Sequence, residues 1–516
     1  MPLPCCGSGK PWTWTREYLS APSSADTALA WFYRQTSSDT ERTNAAVSDA
    51  LILGSGPAGL MTAILLAAEG RQVTLVDRDP PPPKGKGDDL YAGWKRLGVR
   101  QFSQAHLLLP GGFRLLAKES PESVDRMLDL GAVSHNIIAG AWHVGAIDGP
   151  RQDDGRFETV AVRRPVLEAS LLAVAEGHPG ITVRRGLRVN RLKTEEPRAG
   201  HCRRVRGVAC EGGEEINAEL VVDASGRGAS GAAMLRDVGL APYEQRAEAG
   251  FRYYTRFFRS EYLASRLPPW AGFQHDSVSI LVLPGDSGTW SVTFVTSDRD
   301  QELRGLSNRD AWNRAIQLYP TEAHWAEGKP VTDVIATGGL RSAHRCLVVA
   351  GEPVVTGIVA VGDAWASTNP FFGAGMTTAF RHAALLRDTT RLVDTRDALA
   401  FSMTFAAATE RHLLPLWRGF SDWDRHRLAE VDHEMMGRRY TTDDPFWHKR
   451  VALEAARAKD PDVLRAAADI SGLLAGPEVL ARPGLKERIA ALSAGASRYH
   501  YPGPVRGELL AAVTAG

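Results

Sequence analysis

Residues 49–78 read DALILGSGPAGLMTAILLAAEGRQVTLVDR, and the reading of this run decides the fold. Ala50-Leu-Ile-Leu53 is a short apolar run ending at a glycine, as a buried parallel strand does. The Ala/Leu-rich stretch from Leu60 to Ala68 has helical character and stops at Gly70, while Val73-Thr-Leu-Val76 is a second strand. Between strand and helix lies GSGPAG, residues 54–59. Each glycine has its own physical role. Gly54 permits the tight turn, Gly56 lets backbone approach a pyrophosphate, and Gly59 lets helix pack on strand. Pro57 and Ala58, cofactor-binding candidates with the glycines, lead into the helix, whose free N–H groups and dipole favour an anion. Asp77, closing the second strand with Arg78 behind it, is placed to accept the ribose hydroxyls of a dinucleotide.

Working outward, two further stretches repeat the theme. ELVVDASGRGAS (219–230) is a strand ending in an acid, Asp223, and a glycine-rich turn. VAVGDAWASTNPFFGAGMTTAFRHAALLRD (359–388) is a strand, then Gly362-Asp363, then a Pro/Gly-rich turn feeding a helix. An acid at a strand end far from the first suits a ligand spanning both halves of the fold, and Asp363 matches the ribityl chain of FAD. The turn through Pro370 places the backbone N–H groups of Gly373, Gly375 and Met376 at a helix start, where they suit the N1/O2 edge of a flavin.

Length and composition bound the rest. The chain has 516 residues, 44% of them hydrophobic and 23% charged, with a formal net charge of +1. That balance excludes a nucleic-acid footprint. No apolar stretch is long enough for a transmembrane helix, and the N-terminus lacks a secretory signal, so a cytoplasmic protein is expected. Five cysteines, two of them adjacent at Cys5–Cys6, match neither a disulfide framework nor a zinc site, and no metal is expected.

The expected class is α/β: a Rossmann-like FAD-binding domain of a βαβ unit plus β-meander, an inserted sheet-rich substrate domain, and a helical C-terminal region. The boundaries are an N-terminal extension over 1–48, FAD-binding segments over 49–235 and 356–394, the sheet-rich domain over 236–355, and helices over 395–516. PPPPKGKGDD (80–89) reads as an exposed loop. Strands are expected at 181–184, 203–210 and 216–222. Strand alternation in FRYYTRFFR (251–259) sends Arg252, Tyr254, Arg256 and Phe258 to one face and Phe251, Tyr253, Thr255 and Phe257 to the other. One face lines a substrate cavity, which leaves Tyr253 and Tyr254 both as pocket candidates beside Phe371 and Phe372.

In order and content, GSGPAG, VDASGRGAS and GDAWASTNPFFGAG resemble the FAD-dependent monooxygenase superfamily that includes aromatic hydroxylases, over roughly residues 49 to 390. GVRQFSQAH (98–106) and RRPVLE (163–168) resemble segments of an actinobacterial subgroup of specialised-metabolite enzymes. That likeness implies that Arg164 contacts flavin and that Gln104 and His106 lie over it, or else form a structural pair. GAGMTTA (373–379) is similar to squalene and polyether epoxidases. The resemblance implies epoxidation or hydroxylation of a small apolar organic substrate by a flavin C4a-hydroperoxide. O2 is then co-substrate and NAD(P)H the electron donor, directly or through a partner flavin reductase. No protein nucleophile is needed, so the catalytic candidates are His106, Gln104 and Phe372. The alternatives are a flavin halogenase, a flavin-linked double-bond reductase, and a flavin-free binding protein on the same fold. Against the halogenase, PWTW (11–14) lies upstream of the glycine loop, and Lys118 is the one lysine near the expected offset.

Overall fold

The computed structural model describes residues 48–143, 148–196, 202–247, 250–260 and 270–515. The extension before Ser48, with PWTW and Cys5–Cys6, lies outside the described residues.

Strand Ser48–Leu53 is the centre of the first sheet because its apolar run is covered on both faces. It pairs in parallel with Val73–Asp77 on one side and with Glu215–Asp223 on the other. Ile181–Arg185 extends the edge beyond Val73–Asp77, and Ile358–Ala360 adds in parallel to Glu215–Asp223. The start of Glu215–Asp223 turns antiparallel with Arg204–Cys210, which pairs with Val189–Glu195. Val189–Glu195 is a strand that apolar patterning alone did not reveal, since only Leu192 along it is buried. Ile181–Arg185, expected in the meander, instead belongs to the parallel part.

Helix Pro57–Ala68 begins three residues before the apolar run suggests, with Pro57 in its first turn. It is apolar all round because it is buried between the sheet and helix Ala374–Leu392; Met61 and Leu65 share a core with Met376 and Phe380. Gly362, at φ +58°, lets the two halves meet: a Cβ there would stand 2.8 Å from that of Ala58. The 80–89 stretch is only partly loop, because Gly87-Asp88-Asp89 starts helix Gly87–Gly93, with both acids in its first turn.

The second sheet runs Gly272–Gln274, Val278–Pro284, Thr289–Ser297, Phe251–Arg259 and Lys329–Pro330, with Ile335–Leu340 also on Phe251–Arg259. One of its faces carries Tyr254, Phe258, Val292 and Phe294 into a core with Trp312, Leu509 and Val513. The other carries Phe251, Tyr253, Leu281 and Leu283 into a core with Leu107, Leu109, Ala374 and Trp423. The described residues beyond 395 form six helices, Ala398–His412, Leu414–Met435, Pro445–Arg457, Pro461–Ser471, Leu485–Ser493 and Arg506–Thr514. Among the described residues no helix is long and apolar enough to cross a membrane.

Candidate functional site

The three glycines of GSGPAG have three different surroundings. Gly54 sits at φ +104°, and a Cβ on it would lie 2.7 Å from the Ala224 carbonyl oxygen. A Cβ on Gly59 would lie 1.9 Å from the Gly54 carbonyl oxygen, so only hydrogen fits between helix and turn. Gly56 is different: its φ is −80°, and a Cβ would meet only Arg164 Nη2, at 3.8 Å. Gly56, Pro57 and Ala58 face a cavity of about 1410 Å³ at the N-terminus of the helix.

The start of helix Ala374–Leu392 enters the same cavity. Asp363, Pro370, Gly373, Gly375 and Met376 line it, and a Cβ on Gly375 would find only Asp363, at 4.0 Å. Gly373 takes φ +63° to turn the chain into the helix. Two helix N-termini with bare glycine backbone therefore open on one space, with Asp363 and Arg164 among its charged groups. This donor set fits FAD: peptide N–H groups and Arg164 for pyrophosphate, Asp363 for the ribityl hydroxyls, and the Gly375 backbone for the flavin edge.

Behind the glycine turn lies a buried network that sequence reading missed. Glu168, fully buried, accepts from Arg164 Nε at 2.5 Å and also holds Arg96. Arg96 reaches on to Asp77, Asp79 and the Ser55 carbonyl. Burial alone would raise the Glu168 and Asp77 carboxyls, but the guanidiniums beside them hold both below the usual range. The expected role of Asp77 requires correction. Its oxygens already accept from Ser55 N, Ser55 Oγ and Asp79 N at 2.7, 2.6 and 2.8 Å, besides Arg96, and it does not line the cavity. Arg78 is exposed and packs over Gly98.

Asp223 is a second correction. Its carboxylate accepts from Ser225 N and Oγ and from Gly231 N, so it fastens its own turn and is absent from the large cavity. Gly226 and Arg227 of the same turn line the cavity instead, and Arg227 Nε stands 3.5 Å from Asp363. Gly362 is buried and leaves the lining to Asp363.

Tyr253, Phe371 and Phe372 line the cavity, whereas Tyr254 points the other way into the Trp312 core. The reason is strand alternation: Tyr253 pairs with Val295 on the cavity face and Tyr254 with Phe294 on the opposite one. Phe371 stacks on Trp423 at 5.0 Å, with Phe372 against Phe420 and Trp423. Trp423 and Phe420 come from helix Leu414–Met435, too far along the chain for any motif to connect them.

Gln104 and His106 line the cavity as well. The Gln104 amide is fixed, donating to the Ile335 carbonyl and Thr337 Oγ1 and accepting from Thr255 Oγ1. His106 Nδ1 lies 2.9 Å from the Gln104 carbonyl, and burial, with Arg164 nearby, lowers its pKa to about 4. It is a neutral imidazole at physiological pH. Lys118 is 65% exposed, pairs with Glu119, and lies outside the cavity lining.

A family model described as an FAD binding domain matches residues 47–88. Protein Rv3254 of Mycobacterium tuberculosis is 27% identical over 394 residues, covering 71% of this chain and 78% of that protein. A kynurenine 3-monooxygenase of Xanthomonas oryzae pv. oryzae is 25% identical over 394 residues, 70% of this chain and 75% of its own. Among solved structures, PqsL of Pseudomonas aeruginosa superposes with a TM-score of 0.53 at 18% identity, covering 75% of this chain and 96% of its own. CmlS, a flavin-dependent halogenase, gives 0.53 at 19%, covering 91% and 77%; these structural likenesses concern the fold. The glycine turn matched by the family model, the cavity at its helix and the kynurenine 3-monooxygenase relatives agree, and the chain is similar to FAD-dependent monooxygenases.

Proposed function

We propose that this enzyme epoxidises or hydroxylates an alkene- or aromatic-containing specialised metabolite within the cavity. The observation that supports this reading is the juxtaposition of the two glycine-bearing helix starts with an aromatic wall of Phe371, Phe372 and Trp423. Bound FAD, reduced by NAD(P)H directly or through a flavin reductase, supplies electrophilic oxygen from O2. The residues of the chain supply the rest. Gly56 and Arg164 hold the cofactor's phosphates, and Asp363 holds its polyol. Phe371, Phe372, Leu281 and Leu283 orient a π-bonded substrate and exclude water. Gln104 offers a rigid polar edge, and neutral His106 offers a hydrogen bond without a competing charge. Lys118, the lysine at the offset that the halogenase alternative expects, is exposed, while Lys449 and Lys486 line the cavity, so the product and not the lysines decides between the two readings.

The test is turnover under isotopically labelled oxygen gas, with and without an added flavin reductase, against candidate polyenes and phenols. Label in the product supports the reading. Halide in place of label overturns it in favour of halogenation, and a colourless protein that takes up no FAD overturns every flavin reading.

A further inference from the structure

Helix Pro445–Arg457 lines the cavity with Phe446, Arg450, Leu453 and Arg457 at i, i+4, i+7 and i+11, and with Lys449 and Glu454 beside that stripe. Two of the four in the stripe are cations, and their surroundings differ. Arg457 lies over the Trp270 ring at 5.4 Å and reaches the Gly272 carbonyl at 3.5 Å. Arg450 has no such partner. Among the described residues its guanidinium donates no hydrogen bond and forms no ion pair, and its Nε is buried with nothing to receive it. The carboxylate one turn on, Glu454, accepts from Gln274 Nε2 at 2.9 Å. Burial pushes the pKa of Arg450 down and Glu454 pushes it up.

Arg450 is half-buried, with its Nε shut off from solvent and without a partner, and an unmatched donor on a charged group is costly. Phe446, Leu453, Trp270 and Leu464 give the cavity apolar wall there, interrupted by Gln274, Lys449, Glu454 and Arg457. A charge kept there is matched when a ligand brings the opposite one. The planar fork of arginine fits a carboxylate through two parallel hydrogen bonds. A phosphate dianion is disfavoured because Glu454 is close enough to act on the same guanidinium.

We propose that Arg450 anchors a carboxylate of the substrate, so that the substrate class is an apolar, π-bonded body bearing one carboxylate group. The assignment rests on the reading of this cavity as the substrate site. It makes Arg450 a specificity determinant supplied by the C-terminal helices, and it qualifies the expectation of a wholly apolar substrate.

The test uses a matched pair of probes, dodecanoate and dodecanamide, titrated into the full-length FAD-loaded protein and followed by calorimetry and tryptophan fluorescence. The acid is expected to bind at least about tenfold more tightly than the amide, the worth of a charge-assisted hydrogen bond. Arg450→Met should abolish that preference, and Arg450→Lys should restore part of it. FAD content, read from absorbance, should stay the same in both. Equal affinity for acid and amide, a preference that survives Arg450→Met, or an FAD-loaded protein that binds neither probe overturns the proposal. Failure of the flavin reading shows separately, as protein without FAD absorbance, and the acid–amide comparison still reads out by tryptophan fluorescence.

Discussion

The Asn369 amide donates to the Asp424 carboxylate at 2.8 Å, tying the turn before helix Ala374–Leu392 to helix Leu414–Met435. Asn369 Oδ1 in turn receives the Phe371 N–H at 3.1 Å and the Tyr253 hydroxyl, so one buried acid sets the aromatic wall of the cavity. Ser342 Oγ donates to the other Asp424 oxygen at 2.9 Å.

Burial raises Asp424 from its ordinary 3.8 to about 7, against the opposing bonds from Asn369 and Ser342. Between those values the folded protein holds a proton that the unfolded chain has released. Stability therefore falls as pH rises through this window, by up to about 1.4 kcal/mol per pH unit, and levels off above it. Asp424→Asn keeps an acceptor for Asn369 and offers its amide to Ser342 Oγ. The variant is expected to be the more stable protein above pH 7 and to lose this slope. Denaturant midpoints measured across the window check it, and an unchanged slope refutes it.

Four histidines, His344 and His382 buried and His106 and His135 half-buried, act in the opposite sense. Burial lowers His106, His135 and His344 to about 4 and His382 to about 3, from an ordinary 6.5. As pH falls below 6.5 the unfolded chain takes up protons that the folded protein refuses, so stability drains down to about 4. Carboxyls held low by neighbouring guanidiniums, among them Asp77, Glu168 and Glu430, act with the histidines and outweigh Asp424, Asp223, Glu322 and Glu434, which burial raises, so acidification gives a net loss. The denaturant midpoint should fall between pH 6.5 and 4, and NMR titration of the imidazoles that shows them protonating near 6.5 contradicts the lowering of these histidines.

Gly56 and Gly59 separate cofactor binding from folding. Gly56 has an ordinary φ and open space beside it, so Gly56→Val should fold with an unchanged melting temperature when FAD is absent. Its side chain enters the pyrophosphate position, and FAD affinity should drop at least about a hundredfold, the equivalent of roughly 3 kcal/mol. Gly59→Ala places a carbon against the Gly54 carbonyl and should lower the melting temperature instead. Flavin fluorescence quenching and thermal melts of the two variants distinguish these outcomes.

The parts of this molecule that were legible in its sequence are those governed by short-range rules. Gly54, Gly56 and Gly59 declare a strand–turn–helix because backbone sterics act over six residues. The 251–259 alternation revealed two faces, but choosing between Tyr253 and Tyr254 needs the partner strand, which only tertiary packing supplies. Asp77 and Asp223 look like ligand acceptors because a strand-end acid has that geometry. Whether it meets a ligand or an internal donor depends on Arg96 and on Ser225 with Gly231. Arg96, Trp423 and Arg450 carry no local signal, since each acts across a long loop closure.

Arg164 and Glu168 make the last case, because one ion pair joins a cavity residue to a buried one. Arg164 lines the cavity beside Gly56, whereas Glu168 is fully buried between Arg164 and Arg96. Removing the charge of Glu168 leaves Arg96 to Asp77 and Asp79 alone and strands Arg164, so Glu168→Gln should cost about 3 kcal/mol of stability before any cofactor is added. Arg164→Met removes the less buried partner and lets Glu168 keep Arg96. It should cost the FAD-free protein less than Glu168→Gln does, yet weaken FAD binding about tenfold or more through the lost charge-assisted bond. Denaturation without FAD and titration with FAD give the two numbers for each variant. Equal losses of stability and of affinity in both variants would show that Arg164 acts only through the fold.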